Sequence, residues 1–386
     1  MTRKLYYEDE DLSEFDAQVL TCEPQDGKWQ VTLNQTAFFP EGGGQWPDLG
    51  HLGNVNVLDV QEQGDEVLHF TDGPLVPGDA VHGSIDWERR FSVMQQHSGE
   101  HIFSGLVHAH YGYDNVGFHI GTDAVTMDFN GMLTMEQALE IEQEVNQFIY
   151  KNIPIEHLIL VGEEKETLEY RSKKPIEGEL RIIRIPGADT CACCGTHVKM
   201  TGAIGQVKVL GIQKYKSGVR VSILCGKRAL EYEDRVLEEM DRIRILLSSK
   251  GENAAGIVEH LLEDRRQLRY EREQMAMQLF EMQMEKEKTE SIRVIVCPAL
   301  SPESTAKAAG KLAAGATVAL VISGTEELHP FAMGMEAGNV RELTKQMCAA
   351  FNGKGGGKPE MTQGKIACAD EAMLRSWLTS AIEQSK

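Results

Sequence analysis

Alternation of apolar and polar positions dominates the first 90 residues. Residues 17–20 and 29–33 alternate on either side of an Asp26-Gly27 pair, the signature of two strands joined by a tight turn. Further short strands are predicted at 55–60, 66–70 and 80–85, punctuated by Gly50, Gly53, Gly64, Gly73, Pro77 and Gly78. Short, closely spaced strands predict a small β-barrel over residues 1–90. From Arg89 the period changes, and Phe91, Met94, Ile102, Leu106 and Val107 recur at helical spacing. A strand at 124–129, a helix at 134–151 and strands at 155–161, 180–185, 207–213 and 219–224 complete an α+β core over residues 91–225.

Residues 226–290 contain no proline and are rich in charge. Leu261, Leu268, Met275 and Met282 recur every seven residues, and Val236, Met240, Ile243 and Leu247 alternate by four and three. Both are coiled-coil spacings. The stretch 248–253 interrupts them, so two helices or a helical hairpin are expected. The apolar stripe is expected to pack, within the chain or across a homodimer formed by 226–290 and the C-terminal domain. Residues 291–386 read as a separate α/β domain: strand 293–297, helix 302–314, strand 317–322, a helix near 340–351 and a last helix holding Trp377. The expected class is α+β in four parts: barrel, core, helical segment and α/β domain.

The formal net charge of -20 excludes indiscriminate nucleic-acid binding, which needs a basic field. From Ile292 onward, however, ten Lys/Arg face nine Asp/Glu. That end is therefore freer to meet a polyanion. No run of about 18 apolar residues exists to span a membrane, and the first residues lack the apolar core of a signal peptide. Three of the eight cysteines crowd into Cys191-Ala192-Cys193-Cys194. Without a secretory signal, such crowding points to metal binding in a reducing cytoplasm rather than to disulfides.

Two segments carry candidate chemistry. His97-Ser98-Gly99-Glu100-His101 places two histidines four apart, on one face of a helix. Written H-x-x-E-H, it also matches an inverted zinc-peptidase motif with Glu100 as general base. Cys193 and His197 stand in C-x-x-x-H spacing. Together the four supply the thiolate and imidazoles that suit one tetrahedral zinc. Cys191 and Cys194 compete as ligands. A C-x-x-x-H half-site is foreign to the peptidase design, and Glu100 is expected to be a charge on the helix surface.

H-x-x-x-H paired with C-C-G-T-H-V resembles the editing domain of alanyl-tRNA synthetase and its free-standing relatives, the AlaX proteins. Thr36-Ala37-Phe38-Phe39-Pro40-Glu41-Gly42-Gly43-Gly44-Gln45 is similar to the family's glycine-rich motif. The N-terminal barrel resembles a translation-factor-like barrel. Residues 353–359 look like the glycine-rich signature of a DHH-associated C-terminal domain. The order of parts is similar to the long form of AlaX, and no adenylation core is recognisable.

The resemblance implies a trans-editing hydrolase that deacylates Ser-tRNA(Ala), and also Gly-tRNA(Ala), while sparing Ala-tRNA(Ala). The need is physical, because a synthetase pocket cannot strongly reject an isostere that adds only a hydroxyl. The implied site holds one zinc on His97, His101, Cys193 and His197. Thr36 and Gln45, with Gly42, Gly43 and Gly44, would read the substrate; His119 and Asp123 would stand behind the site, or His119 would be a satisfied strand histidine. For tRNA the candidate phosphate contacts are Lys173, Lys174, Lys199, Lys214, Lys216, and Lys354 and Lys358 in a glycine-rich loop. Whether zinc acts in the chemistry or only positions the substrate stays open. Two other classes remain: a zinc metallopeptidase of H-x-x-E-H type, and a non-catalytic tRNA-binding protein with structural zinc.

Overall fold

A computed structural model of the chain describes residues 1–161, 168–172, 180–249 and 253–384. It is mixed α+β and divides into two compact units, Met1–Met240 and Asp241–Lys386.

In the first unit, strands Glu14–Gln25, Lys28–Leu33, Glu66–Thr71, Val55–Gln63, Gly50–Leu52 and Ala80–Ile85 pair in that order. The last pairs back to the first. Val19, Val31, Leu33, Leu52, Val57, Val60 and Val67 fill the interior of this ring. Asp26 and Gly27 take φ of 50° and 80°, as a two-residue hairpin turn of the favoured twist requires. The strand Gly50–Leu52, only three residues long, was too brief to show a period in the sequence.

Helix α1 (Trp87–Tyr111) follows the ring. The Asp86 side chain accepts from the Arg89 N–H at its start, and Gly112, at φ 67°, closes it. A four-stranded sheet packs with it, in the order Val207–Tyr215, Gly218–Cys225, Val125–Phe129, Asn115–Ile120. Helix α2 (Met135–Lys151) begins with a reciprocal capping box between Thr134 and Gln137. A second sheet contains Glu156–Leu160, Leu180–Ile185 and Asp189–Ala192.

Helix α1 buries an unusual number of polar groups, among them Arg90, Gln95, Gln96, Ser98, Glu100 and Ser104. The Gln96 amide accepts from the Cys225 N–H and donates to its carbonyl, both at 2.8 Å, so it caps the strand Gly218–Cys225 like another strand. Arg90, fully buried, forks onto the Asp48 carboxylate. It also donates to the carbonyls of Glu10 at 2.9 Å and Ala37 at 2.6 Å. Asp48 in turn accepts from the Phe39 N–H. One guanidinium thereby fastens the N-terminal segment and the 36–48 loop to the helix that carries His97 and His101. Burying such a charge is tolerable only when every donor is matched.

In the second unit, a five-stranded sheet runs Ile292–Val296, Val318–Ile322, His329–Gly334, Met361–Ile366, Lys354–Gly357. The helical segment breaks, into α3 (Gly226–Leu246) and α4 (Ala254–Glu287), and the heptad residues Leu261, Leu268, Met275 and Met282 are all exposed in the single chain, so they do not pack within it. Helix α4 packs through Ala276 and Phe280 against Ile295, Ala308 and Leu312 instead. That face lies off the heptad seam, because the neighbour is a sheet-and-helix layer and not a second coil. One expectation needs correction: the glycine-rich run is not a loop. Residues Lys354–Gly357 form an edge strand paired with Met361–Ile366. Gly355 lies so close over the Phe331 ring that a Cβ would sit 2.7 Å from it. Gly355 and Gly357 have no room for a Cβ, whereas Gly356 has.

Thr36 is a testable part of the first unit. It is fully buried, and its hydroxyl accepts from the Phe38 N–H at 3.1 Å. His69 Nδ1–H donates to the Val31 carbonyl at 3.2 Å, which leaves Nε2 to accept from the Thr36 hydroxyl at 2.8 Å. Burial pushes His69 down from 6.5 to about 4, so a neutral ring contributes stability above pH 6.5 that is lost as pH falls towards 4. Thr36→Val should lower unfolding stability at pH 7.5 by about 1–3 kcal/mol, the usual cost of a stranded buried polar atom. Denaturant titration checks this.

Candidate functional site

Four ligand atoms, from His97, His101, Cys193 and His197, lie within 4.8 Å of one another in the first unit. Helix α1 supplies the first two, one turn apart. The other two come from the loop after strand Asp189–Ala192. Cys193 Sγ is 3.5 Å from His97 Nε2 and 3.5 Å from His197 Nε2. A tetrahedral zinc with Zn–N of about 2.0–2.1 Å and Zn–S of about 2.3 Å would separate sulfur and nitrogen by roughly 3.5 Å. Those two separations match such an ion, and the chemistry of the four donors suits it.

The far nitrogen of each imidazole is held. Gln45 Oε1 accepts from the Thr196 N–H at 3.0 Å while its Nε2 donates to Thr196 Oγ1 at 2.9 Å, so the amide orientation is settled. His97 Nδ1, 3.0 Å from that same Oε1, must then be the protonated nitrogen. His101 Nδ1 donates to Asp189 Oδ2 at 2.9 Å, and Asp189 is braced by Arg171 through two bonds of 2.8 Å. His197 Nδ1 faces Ser98 Oγ at 3.2 Å, and that oxygen also accepts from the Val198 N–H. With Nδ1 carrying the proton, each Nε2 offers its lone pair inward. Phe118 stacks on His97 with ring centroids 4.9 Å apart.

The loop itself is clamped. Arg181 donates to the carbonyls of Cys193 at 2.9 Å and Gly195 at 2.8 Å, and forms an ion pair with buried Glu10. Glu10 Oε2 accepts from the His197 N–H at 2.9 Å. Arg181, Glu10, Asp189, Ser98 and Arg171 carried no motif in the sequence. Ser98 and Asp189 were detectable only as neighbours of the ligands in the chain.

Electrostatics separates the cysteines. Burial disfavours a Cys193 thiolate, but His97 and His101 outweigh it and hold the thiol well below its ordinary value. Burial pushes Cys191 up to about 11, so it stays a neutral thiol, and Cys194 is exposed. Cys191 also groups with His101 and Asp189, but Arg171 already occupies that carboxylate.

A cavity of about 460 Å³ opens beside this group. Its walls include Tyr7, Phe39, Pro40, Gly42, Gly43, Glu100, Phe118, Arg171 and Ser172, together with His97, His101 and Cys193. The glycine turn lies tight against Phe118 of this wall. Gly44 has φ 87°, and a Cβ there would stand 2.5 Å from the Phe118 carbonyl oxygen.

Several expected residues lie elsewhere or act differently. Thr36 does not line the cavity, and its hydroxyl is engaged by His69. Gln45 is buried against His97 and Thr196, so it orients a ligand. Glu100, expected on the helix surface, is 4% exposed. His119 and Asp123 are exposed. His119 pairs with Thr126, whereas Phe118 pairs with buried Met127, so strand alternation turns His119 to the face away from His97. Lys199 is neutralised by Asp9 and Asp11 at 2.8 Å each. Lys214 and Lys216 are exposed, and so, in the second unit, are Lys354 and Lys358. Lys173 and Lys174 lie outside the described residues. No described helix is long and apolar enough to cross a membrane.

Comparison with known proteins agrees with this geometry. Residues 180–221 match the model of the threonyl and alanyl tRNA synthetase second additional domain, the stretch that contains Cys193 and His197. Alanyl-tRNA editing protein Aarsd1-B of Xenopus laevis is 30% identical over 347 residues, covering 87% of this chain and 84% of its own. Alanyl-tRNA editing protein Aarsd1 of Mus musculus is 34% identical over 240 residues, 58% of each chain. An alanine--tRNA ligase of Methanoregula boonei is 32% identical over 386 residues; the match takes in 94% of this chain but spans only 41% of the ligase.

Gly195 tests the packing of the group. A Cβ there would stand 2.2 Å from His97 Cε1 and 2.7 Å from Gln45 Oε1. Gly195→Ala should displace His97 and weaken zinc binding by about 10–100-fold, as loss of a ligand's hydrogen-bonded support does elsewhere. Gln45→Leu should weaken it in the same direction. Competition against a chromogenic chelator measures both.

Proposed function

The chain belongs to the alanyl-tRNA editing protein family, and from that premise we propose that it is a zinc-dependent trans-editing hydrolase. The reaction is cleavage of the ester joining a wrong amino acid, serine or glycine, to the 3′ ribose of alanine tRNA, with alanyl-tRNA spared. The observation that carries this reading is the four-atom His–His–Cys–His group opening onto a cavity of about 460 Å³. That volume suits an aminoacyl group and part of its ribose, not a whole nucleic acid.

His97, His101, Cys193 and His197 would hold one zinc per chain. Bound there, the ion would supply positive charge near the ester carbonyl. The remaining work belongs to the protein. Phe39, Pro40 and Phe118 form an apolar wall that limits bulk water. Gly42 and Gly43 admit the substrate close to the backbone. An aminoacyl ester is already activated, so holding it in one pose beside a water supplies much of the rate.

Discrimination between serine and alanine needs polar groups that serine satisfies and alanine leaves unpaired. Thr36 and Gln45 are already engaged. Tyr7, Glu41, Ser172 and the peptide groups of Gly42 and Gly43 are the cavity groups that would read the hydroxyl.

The peptidase reading fits poorly. It calls for a three-ligand ion with an open position and a glutamate free to activate water. Here Cys193 and His197 complete a four-ligand set, and Glu100 is hydrogen-bonded to Ser104 and Asn115.

Deacylation of Ser-tRNA(Ala), Gly-tRNA(Ala) and Ala-tRNA(Ala) by the zinc-loaded protein tests the proposal. Serine should be released fastest and alanine spared. A chelator should abolish the activity, and stoichiometric zinc should restore it. A folded, zinc-loaded protein that hydrolyses none of the three would contradict the reading.

A further inference from the structure

Helix α4 lies wholly within the second unit and has two different faces. One is used inside the chain, where Ala276 and Phe280 are buried against the sheet-and-helix layer. The other carries Leu261, Leu268, Met275, Leu279 and Met282, each more than half exposed. At about 100° per residue the two faces point roughly a third of a turn apart, so the layer leaves the second one open. The stripe from Leu261 to Met282 runs about 32 Å along the helix. A contiguous apolar stripe on an otherwise charged helix marks an interaction site.

The charges beside the stripe decide what fits it. With Leu261, Leu268, Met275 and Met282 at the d positions of successive heptads, Arg265, Arg272 and Leu279 fall at a, Arg269 at e, and Asp264 and Glu271 at g. Basic and acidic side chains thus form separate columns on the two sides of the stripe. Arg265, Arg269 and Arg272 are exposed and form no ion pair among the described residues. Asp264 meets His260 at 3.0 Å, and Glu271 accepts from the Gln267 amide at 2.8 Å. One helix cannot join its own two columns, because neighbours such as 271 and 272 do not face each other.

We propose that this face of α4 binds α4 of a second copy of the chain, with the two helices parallel and in register. In a parallel pair the g side of one helix meets the e and a side of the other. Asp264 then lies beside Arg265 and Arg269 of the second copy, and Glu271 beside its Arg272. The two-fold axis repeats every pair. An antiparallel pair sets g against g, and so carboxylate against carboxylate. Arginine at two a positions costs stability and fixes the register. The pairs all fall before Ala276, the first e residue that the chain's own layer covers. RNA would be drawn to the arginine column but would leave the apolar stripe in water, whereas a second copy uses both. The inference does not depend on the deacylase reading.

Analytical ultracentrifugation of the zinc-loaded full chain should show a dimer at micromolar concentration. Leu268→Asp combined with Met275→Asp buries unpaired charge in the seam. It should raise the dissociation constant by about 100-fold or more at unchanged zinc content. Arg272→Glu alone and Glu271→Arg alone should each weaken the dimer by about tenfold, and the double exchange should restore it. Leu268→Cys, oxidised with diamide and mapped by mass spectrometry, should give a 268–268 cross-link, since parallel strands in register bring like d positions together. This arm reads orientation without placing a charge in the seam. A chain that stays monomeric, a dimer untouched by the two aspartates, or a dimer that gives no 268–268 cross-link would each overturn the inference. If the chain is monomeric and Arg272→Glu lowers its affinity for tRNA(Ala), the face belongs to RNA instead.

Discussion

The site depends on hydrogen bonds that hold three imidazole rings from behind. Gln45, Asp189 and Ser98 each meet an Nδ1, at 3.0, 2.9 and 3.2 Å. Those contacts aim three Nε2 atoms and one sulfur at a common point. Without them the rings could turn about χ2, and proximity alone would not make a ligand set. The supporting groups come from well-separated parts of the chain. Gln45 follows the glycine turn, Ser98 sits on the ligand helix, and Asp189 opens the strand before Cys193. The site is therefore a product of the tertiary fold, with each local segment adding one constraint.

Two arginines, Arg90 fully buried and Arg181 half-buried, make that assembly rigid. Arg90 ties α1 to the 36–48 loop, and so brings Gln45 to His97. Arg181, paired with Glu10, grips the carbonyls of Cys193 and Gly195 and so places the cysteine. Both draw on the first ten residues: Arg90 through the Glu10 carbonyl and Arg181 through its carboxylate. The N-terminal segment is thus part of the framework that holds the His97, His101, Cys193 and His197 group together. Leaving one member of such a pair buried alone costs about 3–5 kcal/mol, so these residues act as a unit.

Much of this was legible in the sequence. Strand alternation located the hairpin at Asp26-Gly27 and the strands through Ile85, and helical spacing located α1. The two half-sites have metal-ligand spacing, and the structure brings all four side chains together. Three things were not legible. A buried polar helix looks like a surface helix, so Glu100 and Arg90 gave no sign of their burial. Thr36 and Gln45 sit in the right motif, but nothing in a chain of letters shows that His69 and His97 already occupy them. The heptads of α4 were real as a pattern, yet the helix packs through Ala276 and Phe280, because the surface it meets is a layer with its own shape. Edge-strand glycines and loop glycines are likewise indistinguishable until the Phe331 ring is seen beneath them.

The most direct measurement is X-ray absorption on the zinc-loaded protein at neutral pH. The expected first shell has one sulfur at about 2.3 Å and three nitrogens at about 2.0–2.1 Å, with the sulfur signal lost in Cys193→Ser and retained in Cys191→Ser. Two sulfurs, or a shell made of oxygen, would contradict the assignment of His97, His101, Cys193 and His197 as the set that the fold was built to hold.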